Sequence, residues 1–298
     1  MPKVTVIANP ISGTHKKGKI ISYTLDRLRA SGYEVEYKKT EYHGHATEIA
    51  AQAVAEGIPL IIAVGGDGTV NEVATAIVGK DSVLGIIPCG SGNGLARHLG
   101  LPMSGKKAVD VIIDGHTEKI DACKVNGHYF FCTFGMGFDA EVAAHFAEHG
   151  KRGIFNYFKS AIYVNRHYSP EYYVINSPDE KIEDRFLIVT VGNASQYGNN
   201  AFIAPRASIK DGSLDIVLIH PTGLPGRLKM ALQMFTKSLS PGKKIKMFQA
   251  PEITVANKEH NRFHAHLDGE SVSFDDKLFL ECIPSALKVI VPENKVSI

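Results

Sequence analysis

Five apolar residues, Leu60-Ile61-Ile62-Ala63-Val64, run without a break into Gly65-Gly66-Asp67-Gly68-Thr69, and helical spacing takes over at Val70, Val73, Ala74 and Ile77. A run with no polar face predicts a strand buried on both sides, as in parallel sheets covered by helices. Thr69 stands where it would cap a helix over 70–79. Glycines let backbone N–H groups come close to an anion, and a helix start favours one. A carboxylate is unfavourable beside bare phosphate, so Asp67 implies a cation or a proton-bearing group nearby. A plain strand-to-helix turn needs the same glycines, so this loop by itself leaves both readings open.

The alternation extends to either side. Strands are predicted at 4–9, 33–39 and 83–88, with helices at 16–31 (Ile20, Ile21, Leu25 and Leu28 on one side) and 46–56. This order implies a parallel sheet with helices on both faces, whose ligands gather at the loops beyond the strand C-termini. Those loops are 9–19, 40–45, 65–71 and 89–94.

Beyond residue 120 the texture changes. Strand-like stretches at 119–125, 129–133, 171–176, 184–191, 215–220, 251–256, 262–267, 278–282 and 288–291 are punctuated by Asn126-Gly127, Asp211-Gly212 and Asp268-Gly269. That pattern predicts an antiparallel sandwich. Helices at 153–167 and 225–239 interrupt it. Their apolar stripes, Ile154, Tyr157, Phe158, Ala161 and Ile162 in one and Leu228, Ala231, Leu232 and Phe235 in the other, read as core-facing. The expected organisation is an α/β domain over 1–122 and a β-sandwich domain over 123–287, with the tail 288–298 returning to the first.

Composition excludes some classes. With 44% hydrophobic and 21% charged residues in 298, the chain reads as globular, and a net charge of +2 does not call for nucleic acid. Basic pairs such as Lys38-Lys39 and Lys106-Lys107 read as solvated faces. Cys89, Cys123, Cys132 and Cys282 form no Cys-x-x-Cys pair, as expected of free thiols in a reducing compartment. Met1-Pro2-Lys3 leads straight into a strand and no apolar run nears the roughly 18 residues of a membrane span, so a cytoplasmic protein is expected.

Familiar nucleotide motifs fail on detail. Gly13 to Lys19 is spaced like a P-loop, but Ile20 stands where the metal-binding Ser or Thr belongs. Gly66-Asp67-Gly68-Thr69-Val70-Asn71 lacks the third glycine of a dinucleotide fingerprint, and Gly90-Ser91-Gly92-Asn93-Gly94 has its glycines at the wrong interval. His264 and His266, with His260 nearby, lack further ligands at zinc-like spacing.

What remains is a series in order along the chain. It comprises Asn9-Pro10-Ile11-Ser12-Gly13, Thr40, the stretch from Gly65 through Asp67 to Asn71-Glu72, Pro88-Cys89-Gly90-Ser91-Gly92-Asn93-Gly94-Leu95-Ala96, Asp211-Gly212-Ser213-Leu214-Asp215 and Asp268-Gly269-Glu270. With these motifs the chain resembles the diacylglycerol kinase catalytic-domain family, which includes sphingosine kinases and bacterial lipid kinases. The resemblance implies a first domain like those of phosphofructokinases and NAD kinases, and transfer of the γ-phosphoryl of ATP, with Mg²⁺, to a lipid hydroxyl. It places Asn9, Pro10, Ser12, Gly13, Thr40, Gly65, Gly66, Asp67, Gly68, Thr69, Asn71, Glu72, Ser91 and Asn93 around a nucleotide held between the domains. It makes Glu270 the base and Asp268 its partner, or the two in reversed roles, and gives Asp67 the task of organising metal. The two late carboxylates, at i and i+2, are expected on one side of a strand. A second, structural Mg²⁺ is implied at the Asp211 carboxylate and the carbonyls of Ser208 and Ser213, an oxygen-only set that suits a hard cation.

Diacylglycerol, giving phosphatidic acid, is the default acceptor. However, Gly90-Ser91-Gly92-Asn93-Gly94-Leu95-Ala96 looks more like the sphingosine kinase version, since diacylglycerol kinases usually carry Gly-Thr-x-Asn-Asp there. A sphingoid base or ceramide therefore stays open, as do an NAD kinase, which shares Gly-Gly-Asp-Gly, and a catalytically silent binding protein. Expected partners are a membrane lipid met peripherally at the bilayer surface and a second copy in a homodimer, with no nucleic acid. The segment Phe134-Gly135-Met136-Gly137-Phe138 and helix 153–167 are candidates for an acyl-chain wall, with Lys151, Arg152, Lys159 and Arg166 toward headgroups.

Overall fold

A computed structural model describes residues 1–10, 17–149, 154–275 and 277–293. In chain order its elements begin with β1 (Lys3–Ala8), α1 (Lys17–Ala30), β2 (Glu34–Lys39), α2 (His45–Ala55), β3 (Leu60–Gly65), α3 (Asp67–Ile77), β4 (Val83–Pro88), α4 (Gly94–His98), α5 (Gly105–Asp114) and β5 (Thr117–Val125). There follow β6 (His128–Phe130), β7 (Thr133–Gly137), α6 (Phe138–His149), α7 (Ile154–His167), β8 (Glu171–Asn176), β9 (Lys181–Phe186) and β10 (Ile188–Gly192). The last are β11 (Leu214–Ile219), α8 (Leu224–Phe235), β12 (Ile245–Ala250), β13 (Glu252–Asn257), β14 (Arg262–Leu267), β15 (Glu270–Asp275) and β16 (Leu278–Ile290). The chain divides into two units, Met1–Ala122 with the stretch from Ser285 onward, and Cys123–Pro284.

In the first unit the strands run parallel in the order β2-β1-β3-β4, and β16 joins beside β4 at Lys288↔Val83. Every residue of β3 is buried, as an unbroken apolar run requires. Val4, Val6, Ile62 and Val64 meet Leu28 of α1 and Val109 and Ile112 of α5 in one core. Each such side chain contributes on the order of 1.5–3 kcal/mol by leaving water. Because β1 lies between β2 and β3, the strand order reverses there, and a crevice opens beyond the carboxyl ends of β1 and β3.

The second unit is a sandwich. One sheet is antiparallel in the order β12-β11-β10-β7-β14-β15; the other contains β8, β9, β13 and residues 278–281 of β16. Between them lie Phe134, Met136, Val189, Val191, Ile216 and Leu218 from the first and Tyr173, Ile175, Phe186, Val255 and Leu278 from the second.

Several expectations change. The strand expected at 184–191 is two strands in different sheets, β9 and β10, joined by Leu187 alone; β12 and β13 are likewise joined by Pro251 alone. The stretches 278–282 and 288–291 belong to one strand, β16, with Ser285 in a left-handed conformation (φ 51°) along it. The strand expected at 129–133 is instead β6 and β7 on either side of Phe131 and Cys132. The stripe on α8 is not core: Leu228 and Leu232 are 63% and 65% exposed, while Met230 is buried. On α7, Ile162 is also exposed.

Candidate active site

The loops beyond the parallel strands are tied to one another by backbone and side chain. Backbone bonds run from Thr40 N–H to the Ala8 carbonyl (3.0 Å), from Asn9 to Val64 (3.4 Å) and from Cys89 to Gly65 (2.7 Å), which aligns the strand ends. α3 begins at Asp67 with Gly66 as its N-cap, so Thr69 is not the cap; it lies inside the first turn. Gly66 needs no side chain to begin the helix, and Asp67 in the first turn complements the helix dipole. Buried Thr69 packs under Gly65, where a Cβ would lie 2.4 Å from the threonine side chain.

Asp67 is the junction between two glycine loops. Its carboxylate accepts hydrogen bonds from the backbone N–H groups of Asn93 (2.8 Å) and Gly94 (2.6 Å), where α4 starts. Asn93, itself left-handed (φ 53°), accepts from Gly90 N–H and donates to the Gly90 carbonyl, both at 2.9 Å. A Cβ on Gly90 would lie 2.5 Å from Gly66 Cα, so the two loops meet backbone to backbone. Only glycine permits that approach. Glu72 links a third loop: it accepts from the N–H groups of Gly44 and Ala46, both at 3.0 Å, at the start of α2. Asn71 accepts from the Thr75 hydroxyl (3.4 Å) on the same helix. Pro10 and Ser91 are outward-facing, Asn9 is half-buried and Thr40 is buried. Ser12 and Gly13 lie outside the described residues.

The result is a cradle of strand-end amides and a helix start, with its one central carboxylate already engaged by two amides. Such a surface fits a polyphosphate.

In the second unit Asp268 and Gly269 form the turn between β14 and β15, with φ of 50° and 86°. Asp268 therefore does not share a strand side with Glu270, because the turn takes it off the strand. Aspartate tolerates the left-handed conformation. Its carboxylate accepts from the N–H groups of Phe131 (3.0 Å), Cys132 (2.8 Å) and Thr133 (3.0 Å). It anchors the β6–β7 connection. Glu270 opens β15 and is exposed.

Asp211 Oδ1 accepts from Ser213 N–H (3.2 Å), and the Gln249 amide donates to Asp211 (3.0 Å) and to Asp215 (3.3 Å). Lys210 N–H donates to the Ser208 hydroxyl. Asp215, not foreseen as part of this site, is pushed up to about 6 by burial. Two neighbouring carboxylates, one of them desolvated, are a donor set that a hard cation would relieve. Among the described residues no group of three or more His, Cys, Asp or Glu is arranged as a metal cage, so a cation here would depend on backbone carbonyls.

The acyl-wall expectation fails for Phe134 and Met136, which are fully buried in the sandwich core. Gly135 lies beside a polar cluster instead: Asp139 Oδ2 is bonded by Tyr197 OH (2.6 Å), Thr190 Oγ1 (3.1 Å) and His266 Nε2 (3.3 Å). His266 is thus committed to Asp139, and His264 is exposed. Lys159 and Arg166 are exposed on α7, whereas Lys151 and Arg152 lie outside the described residues.

A family model for the diacylglycerol kinase catalytic domain matches residues 3–125, and one for the YegS C-terminal NAD kinase beta sandwich-like domain matches residues 132–291. A diacylglycerol kinase of Staphylococcus epidermidis is 30% identical over 74% of this chain and 72% of its own. The chain belongs to the diacylglycerol kinase catalytic-domain family. It is a lipid kinase, a phosphotransferase with an alcohol acceptor. A diacylglycerol kinase of Bacillus subtilis (strain 168) is 29% identical over 91% of this chain and 90% of its own. The crystal structure of a diacylglycerol kinase from Bacillus anthracis str. Sterne shares the fold, with a TM-score of 0.78 at 23% identity over 98% and 97% of the two chains. Among the described residues of this family member, no helix is long and apolar enough to cross a membrane.

Proposed function

We propose that this chain transfers the γ-phosphoryl group of ATP to the hydroxyl of diacylglycerol, giving phosphatidic acid and ADP. The observation that carries the nucleotide half is the lacing of Gly66, Asp67, Gly90 and Asn93 into one amide-lined cradle at the switch point of the parallel sheet. In the reaction the lipid oxygen bonds to the γ-phosphorus as the bond to the β–γ bridging oxygen breaks. Glu270 takes the hydroxyl proton, and the first-turn amides of α3 and the neighbouring glycine loop hold the phosphates in line. Mg²⁺, when bound, would neutralise charge building on the phosphate oxygens, with Asp67 orienting its water shell. Asp268, with its carboxylate bonded to three amides, supports the turn that presents Glu270. The Asp211–Asp215 loop, with the carbonyls of Ser208 and Ser213, is the proposed structural cation site.

Purified protein with ATP, Mg²⁺ and mixed micelles of diacylglycerol, sphingosine, ceramide or monoacylglycerol tests this. Phosphatidic acid is the expected product, and Glu270→Gln is expected to lower kcat by roughly 10²–10⁴-fold. No phosphorylated lipid from any class would overturn the reading. A sphingoid acceptor is the second reading: Gly94, which donates to Asp67, stands where diacylglycerol kinases usually have Asp. NADP formation from NAD would instead point to a soluble acceptor.

A further inference from the structure

α8 is amphipathic in the unusual sense. Leu224, Leu228, Leu232 and Phe235 fall within one arc of the helix, at 57%, 63%, 65% and 42% exposure, while Met230 faces the sheet and is buried. The helix is firmly seated. Pro225 sits in its first turn, the Arg227 guanidinium donates to Asn165 of α7 (2.6 Å), and Ser238 N–H caps the Gln233 carbonyl (2.9 Å). An ordered helix turning leucines outward is normally explained by something that covers them.

Charge says what does. Residues 216–251 contain Arg227, Lys229, Lys237, Lys243, Lys244 and Lys246 and no Asp or Glu. Lys229, Lys237, Lys243 and Lys244 are exposed, on the helix or on the segment that follows it. An apolar stripe on a stretch of chain whose only charged side chains are cationic matches the headgroup and acyl boundary of an anionic bilayer. A second copy of this chain is a poor match, because a two-fold contact would set these cations against themselves.

We propose that the α8 face docks this protein on anionic membranes, with Leu224, Leu228, Leu232 and Phe235 in the interface and the lysines against headgroups. The purpose rests on the lipid-kinase reading, since the acceptor lies in a bilayer; the surface itself does not depend on which lipid is phosphorylated. The residues are other than Lys159 and Arg166 of α7, which the sequence suggests for headgroup contact.

The test uses the full chain and vesicles of phosphatidylcholine alone or with phosphatidylglycerol added. The wild type is expected to bind the anionic vesicles at least about tenfold more tightly than the neutral ones. The double variant Leu228→Gln/Leu232→Gln should lose about tenfold or more of that binding at an unchanged Tm. Lys243→Gln/Lys244→Gln should weaken it by roughly fivefold or more and flatten its salt dependence. Both should phosphorylate a water-dispersed short-chain acceptor at the wild-type rate, and the same acceptor in vesicles more slowly. Absence of vesicle binding, or equal binding by wild type and variants, overturns the proposal. So does a leucine variant that only converts a dimer to a monomer in sedimentation velocity. If no acceptor is phosphorylated at all, the kinase reading fails while the vesicle measurements still decide the surface.

Discussion

Asp268 and Glu270 are separated by one residue but are predicted to fail in different ways. The Asp268 carboxylate is the acceptor for the N–H groups of Phe131, Cys132 and Thr133, residues that are themselves buried. Asp268→Ala leaves these donors without a partner, and a buried unsatisfied N–H costs about 1–3 kcal/mol. Alanine at a left-handed position adds about 1 kcal/mol. Water entering the vacated space recovers part, so about 3–5 kcal/mol is expected, or a fall in Tm on the order of 6–20 °C. Asp268→Asn tolerates the backbone conformation and keeps Oδ1, which serves Cys132 and Thr133, but sets an NH₂ against Phe131 N–H. It should cost about 1–3 kcal/mol. Glu270→Gln, at an exposed strand start, should leave Tm within about 1 °C while kcat collapses. Scanning calorimetry on the three variants, with initial rates beside it, separates the roles. An Asp268→Asn protein with wild-type Tm and no activity would refute the anchoring account and make Asp268 the base.

Three further outcomes are expected. Gly90→Ala forces a Cβ to within 2.5 Å of Gly66 Cα, so the two loops must part; KM for ATP should rise at least about tenfold, measured by coupled ADP release. Glu72→Ala removes the acceptor for two amides at the start of α2 and should cost about 1–2 kcal/mol in urea unfolding, with the m-value unchanged. Asp215, raised by burial from 3.8 to about 6, favours the folded state most below pH 4, and that contribution fades as pH rises through 6. In chelator, Tm should therefore fall between pH 4 and pH 7, and Asp215→Asn should flatten that fall; an identical profile in the variant would refute the burial argument.

The parallel half of the fold was legible because its signals are local. The apolar run of β3 and the glycines after it declare a covered strand and a tight turn. The sandwich was legible in class but not in detail. β15, Glu-Ser-Val-Ser-Phe-Asp, is a polar edge strand whose alternation is faint, and α6 follows directly on β7 at Gly137, a residue with no side chain to mark a helix start. The helix start at Asp67 was misplaced because Thr69 is a good cap by type, whereas tertiary contact drew it under Gly65. The candidate residues were singled out by motif, but what they hold was not legible: Asp67, Glu72 and Asp268 each accept from backbone amides of a distant segment, which no spacing rule reveals. Asp139 and His266 lie 127 positions apart and meet only in the folded chain. The outward stripe of α8 was misread because periodicity fixes which residues share a side, not which side faces the core.

The single-residue corners at Leu187 and Pro251 act as rulers. Along β10, Val189 and Val191 face the sandwich core, while Thr190 meets the Asp139 cluster on the opposite side. Side chains alternate with period two, so one inserted residue at the corner would exchange these sets. It would drive a hydroxyl into hydrocarbon and bring valine against a buried carboxylate. Substitutions at such a corner are graded in cost, whereas insertions and deletions are all-or-none. The second unit can thus diverge widely in composition while its chain length there stays locked.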